Sequence, residues 1–130
     1  MKSLRRSITV IAAVVIVGAA WFGIKQYRRH IDCQRRDAAF ERRIQNIKRD
    51  AHEQLKIGTK KADVNRFFTA HGIPFDTRGS EAIGTLYTTG GCAPLGCGTD
   101  RALIGVCVKL DADGTVTEEP VVVSLYEDCV

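Results

Sequence analysis

Cysteine carries most of the chemistry this chain could do. Cys92, Cys97, Cys107 and Cys129 fall within the last 39 residues, and Cys33 stands alone upstream. Such density in a small chain suits an oxidising compartment and a disulfide framework. Cys92 and Cys97 flank Ala-Pro-Leu-Gly, a natural turn, so a bridge across it would pin a glycine-rich loop. Four cysteines allow three connectivities, and the spacing favours Cys92–Cys97 with Cys107–Cys129. Closing the 21 residues between the latter two would stabilise a small domain by about 3 kcal/mol. Cys33 is then odd, either free or an intermolecular bridge. The metal alternative is zinc held by Cys92, Cys97, Cys107 and Cys129 as reduced thiols. Structural zinc usually takes paired C-x₂₋₄-C knuckles, and Cys107 and Cys129 form none, so no metal or cofactor is expected.

The other reactive residue types do not assemble into a known pattern. Gly90–Asp100 (GGCAPLGCGTD) lacks the Gly-Lys-Ser/Thr ending of a phosphate loop. It also lacks the C-x-x-C at a helix start that thiol redox chemistry prefers. Asp111, Asp113 and Gly114 echo a calcium loop, but Lys109 stands where its first acid belongs, so a plain hairpin turn is expected. His30, His52 and His71 are widely spaced, and Asp63 and His71 lie about two helical turns apart. Acid pairs such as Glu118-Glu119 and Glu127-Asp128 read as solvated. Without a nucleophile, base and orienting group, no catalytic residues and no enzyme are expected.

The elements that must position the cysteines are legible in outline. No Pro or Gly interrupts Lys25–Ile57, and Phe40, Ile44, Ile47, Ala51 and Leu55 form one apolar stripe with Cys33 on the same face. That stripe packs either on its own domain or as a short parallel coiled coil, a homodimer crosslinked through Cys33. Asp37 and Gln54 interrupt the heptad. Gly58 ends the helix, Thr59 caps a second helix over Lys60–Ala70, and Val64, Phe67 and Phe68 form its core face. Strands are expected at Ile73–Thr77, Ala82–Thr89, Arg101–Leu110, Thr115–Thr117 and Val121–Tyr126, with a turn at Asp76–Glu81. In Arg101–Leu110, Leu103, Gly105, Cys107 and Lys109 alternate with Ile104, Val106, Val108 and Leu110. Helices followed by strands predict an α+β two-layer sandwich with three or four antiparallel strands; one sheet face is packed, the other wet or partnered.

The stretch LKIGTKKADVNRFFTAHGIPF resembles the helical signature of the SmpA/OmlA (BamE-like) family, with Leu55, Gly58, Thr59, Val64, Phe68, Gly72 and Pro74 in its places. The likeness covers Leu55–Phe75 closely and extends loosely through the strands and hairpin to Val116. Members of that family are small envelope lipoproteins with two helices and three strands, which assist outer-membrane protein assembly by binding partner proteins and lipid headgroups. The chain departs from them in lacking a lipobox, in its bare apolar anchor and in its loop cysteines. The resemblance implies an envelope protein–protein binding module.

Ile8–Ile24 is a run of seventeen residues without a charge. As a helix it spans roughly 26 Å, close to the ~30 Å of a hydrocarbon core. Trp21, Phe22 and Tyr27 sit at its far end, where amphipathic rings prefer the interface. A cleaved signal peptide cut after Ala20 is the alternative to an anchor. The net charge of +4 divides into +3 over residues 1–7, +5 over 25–50 and −4 over 51–130. A basic neck on an acidic domain argues against nucleic acid. Lys25, Arg28, Arg29, Arg35 and Arg36 are placed to attract anionic headgroups, at about 1 kcal/mol each. Basic residues flank the run on both sides, so charge alone does not orient it; the cysteines favour the C-terminal domain outside the cytoplasm. The expected organisation is a cytoplasmic tail (1–7), a transmembrane helix (8–24), a basic helical stalk (25–50) and a small α+β domain (51–130). The expected function is a non-catalytic, single-pass envelope module that docks an unknown envelope protein. The alternative is a cytoplasm-facing domain with reduced, zinc-bound cysteines.

Overall fold

The structure, a computed structural model, describes residues 2–97 and 99–129. The expected tail, 1–7, begins at Met1, outside the described residues. Two helices, α1 (Lys2–Gln54) and α2 (Lys61–Ala70), precede four strands: β1 (Phe75–Arg78), β2 (Glu81–Thr89), β3 (Arg101–Lys109) and β4 (Val121–Tyr126). The strands pair in chain order as one antiparallel sheet. This is the α+β architecture that the run of helices followed by strands implies.

α1 is a single rod of 53 residues, about 80 Å long at helical rise. It is long and apolar enough near its N-terminus to cross a membrane, and that part is buried against none of the described residues. Ile11, Val14, Trp21 and Phe22 are all exposed. Farther along, the stripe Phe40, Ile44, Ile47, Ala51 and Leu55 is buried on the sheet. The packed unit therefore starts near Phe40 and not at residue 51, and much of the expected stalk is a core element of the domain. The seam that a coiled coil would need is occupied by the chain's own strands.

The inner sheet face presents Ala82 of β2 and Ala102, Ile104, Val106 and Val108 of β3 to Val64, Phe67 and Phe68 of α2 and to the α1 stripe. Gly84 faces the Phe68 ring so closely that a Cβ there would collide with it and with Ile73. The second helix starts one residue later than expected. Lys60 is drawn into a bridge with Thr115, and the Thr59 hydroxyl donates to the Gln54 carbonyl at 3.2 Å, tying down the end of α1 instead of capping α2. The expected turn at Asp76–Glu81 narrows to Gly79-Ser80, because Arg78 pairs opposite Glu81. Thr115–Thr117 forms single bridges and not a strand. Asp111 Oδ1 accepts from the amides of Asp113 and Thr115 at 3.0 and 2.7 Å, a plain hairpin turn.

The sheet lies along α1. At one end Phe40 meets Tyr126 with ring centroids 6.0 Å apart. At the other, the Gly58 amide donates to the Val116 carbonyl at 2.9 Å. The β2–β3 loop and the chain end after β4 thus sit at the end of the domain nearest the apolar run.

Candidate functional surfaces

Four of the five cysteines gather at that end, in a pairing that differs from the expected one. Cys33 bonds Cys92, and Cys97 bonds Cys129. Gly91 explains the first pair: it lies so close to Asp37 that no Cβ would fit, which lets the loop backbone touch α1 beside Cys33. Cys33 is therefore neither free nor available to crosslink a second copy. Register explains the second pair. Tyr126 lies opposite Ala102, so the chain leaves the sheet at the Arg101 end of β3 and Cys129 bridges Cys97 there. Cys107 is six residues from Arg101 along β3, about 20 Å away at strand rise, beyond any disulfide. The same distance prevents Cys92, Cys97, Cys107 and Cys129 from converging on zinc. Cys107 is the free thiol. Burial pushes it above its ordinary pKa, and Glu81 adds to that effect.

One further trio, His30, Cys33 and Cys92, brings ligand atoms within 4.8 Å of one another. Both sulfurs are bonded to each other, which removes the thiolates a metal would need. His71 does not approach Asp63; its Nε2 lies 3.3 Å from Asp50 of α1, and its ring packs on Phe67. No sequence spacing could have signalled that pair, because it joins two helices.

The outer sheet face is the larger feature. Antiparallel register places Ile83, Cys107 and Val121 in one row, Thr85, Gly105 and Val123 in the next, and Tyr87, Leu103 and Leu125 in a third. None of the described residues covers this grid: Tyr87 is 62% exposed, Leu125 59%, Val121 57% and Val123 44%. At its centre the Val123 side chain leans over Gly105, 3.1 Å from where a Cβ would stand. Ion pairs edge the grid: Arg78 with Asp76 at 2.9 Å, Lys109 with Glu118 at 2.9 Å, and Arg101 with Glu127 at 3.0 Å. Alternation in β3 signalled one column of the grid. VVVSLY in β4 hides its own column, because every second position there is apolar on both faces or nearly so.

Of the residues expected at headgroups, Lys25, Arg28 and Arg29 line an exposed groove on α1 with Trp21 and Ile24. Arg35 is exposed. Arg36 instead turns to the loop and binds Asp100 at 2.9 Å; Asp32, one turn earlier, accepts from it only through its backbone carbonyl, at 3.4 Å. No family model, curated protein or solved structure matches the chain.

Proposed function

We propose that the protein is a single-pass, membrane-anchored binding module without catalytic activity, whose domain stands outside the cytoplasm and docks an envelope protein through the outer face of its sheet. The observation that carries this reading is the uncovered grid from Ile83 to Leu125. Contiguous apolar surface of this kind is costly to leave in water and marks interaction sites. The ion pairs around it are satisfied within the chain, leaving an apolar centre inside a polar rim, the anatomy of a docking surface. The resemblance of Leu55–Phe75 to the SmpA/OmlA (BamE-like) family points the same way. Two disulfides at the membrane-facing end favour an oxidising compartment. A photo-crosslinking residue introduced at Val123, activated in intact membranes, is expected to capture one discrete protein partner. The same group at Arg66, exposed on α2, is expected to capture none. Equal labelling from both positions would refute the assignment of the face.

A further inference from the structure

The β2–β3 loop is held out at the membrane-facing end by both disulfides, and its tip carries Leu95, which is completely exposed. Leu95 contributes nothing to the buried core of the domain. Cys92 is fixed to α1, Cys97 is fixed to the chain end, and the Cys97 amide closes a tight turn on the Pro94 carbonyl at 3.1 Å. The tip can therefore neither fold back onto the sheet nor swing away.

Its height above a bilayer follows from α1. Cys33 lies nine residues beyond Ile24, about 13 Å along the helix. The headgroup layer outside the hydrocarbon is roughly 5–8 Å thick, so it reaches residues near Gln26 and Arg29. The loop faces that stretch of helix across an open cavity of about 790 Å³, lined by helix residues between Gln26 and Arg36 and by Cys92, Ala93 and Asp100 on the loop. Pro94-Leu95-Gly96 follows Ala93 in the chain; Arg29 supplies positive charge to this cavity, and Lys25 and Arg28 supply it on the adjoining face of the same helical turn.

We infer that Leu95 dips into the same bilayer that holds α1, so that the domain touches the membrane at two points and is fixed in orientation on it. The ligand is the lipid surface itself: anionic headgroups meet the basic turn of α1, and the leucine enters the glycerol layer. A second contact stops the domain from rotating freely and presents its outer sheet face at a constant angle. The inference rests on α1 being a membrane anchor, and the experiment separates the two. Trp21 is the sole tryptophan. The full chain is placed in vesicles of mixed zwitterionic and anionic phospholipid, with acyl chains brominated near the glycerol end. Quenching of Trp21 reports the anchor. In a Trp21→Phe background, Leu95→Trp is expected to give blue-shifted emission that brominated lipid quenches, whereas Asp113→Trp, at the distal hairpin, is expected to emit as a water-exposed indole. Each variant is first checked to retain a single free thiol. A quenched Trp21 with an unquenched, red-emitting indole at position 95 overturns the loop contact alone and leaves Leu95 for a protein partner. An unquenched Trp21 overturns the anchor and the loop contact with it. Equal quenching at positions 95 and 113 overturns the two-point orientation.

Discussion

At Cys107 the sheet half-buries a thiol opposite Ile83 and Val121 and gives it no sulfur partner. Because burial and Glu81 hold its pKa above the ordinary thiol value, the neutral form dominates near neutral pH and the nucleophilic thiolate is scarce. Alkylation of the folded protein is expected to be slow at neutral pH, slower than that of the unfolded chain, and to accelerate as pH rises. A fast, pH-independent reaction would contradict that environment. The linkage has a definite sign: the unfolded chain loses this proton first, so the contribution is intact below the ordinary thiol pKa and fades as pH climbs above it. Gly84 makes a second residue-scale claim. Gly84→Ala forces a methyl into Phe68 and Ile73 and is expected to destabilise by about 1–3 kcal/mol, read as a lower denaturation midpoint. The alternation in β3 puts Val106 and Cys107 on opposite faces of the sheet; which face is inner depends on where the helices pack. The cysteine pairing was not legible, because it depends on β3–β4 register and on a backbone contact at Gly91, both long-range facts.

At the scale of elements, α1 does two jobs with one periodicity. Its apolar stripe from Phe40 to Leu55 was legible because helical spacing is local. Which surface would cover it was not, since a domain core and a coiled coil ask for the same pattern. Ile47→Ala or Leu55→Ala, each removing a fully buried side chain, is expected to cost about 2–5 kcal/mol. A loss below ~0.5 kcal/mol would mean that the stripe is not core. The disulfides tie the β2–β3 loop to α1 and to the segment after β4. They close separations of 59 and 32 residues, and each stabilises by roughly 4 kcal/mol in the chain-entropy picture. Cys33→Ser is expected to free Cys92, raise the count of reactive thiols from one to two under denaturing, non-reducing conditions, and lower the midpoint. It is not expected to abolish any dimer, because the bond it removes lies within one chain. Helix and strand positions were read within a few residues, and the errors fall where tertiary pairing decides: Lys60 joins Thr115, and Gly79-Ser80 tightens once Arg78 and Glu81 pair.

At the scale of the whole molecule, the rod, the stapled loop and the open sheet face form one arrangement. The rod carries the domain at a fixed short distance from the apolar run, and the staples sit between the two. The face points away from α1, where a partner can reach it. Charge on either side of Ile8–Ile24 leaves orientation undecided by sequence, so the sulfur chemistry has to decide it. The most direct test is thiol trapping in intact cells. Rapid acid quenching, denaturation and reaction with a polymer-linked maleimide give one mass increment per free thiol. A domain outside the cytoplasm is predicted to show a single increment, from Cys107, rising to five only after reduction. Five increments without reduction would place the domain in a reducing compartment and contradict the proposed function at its base.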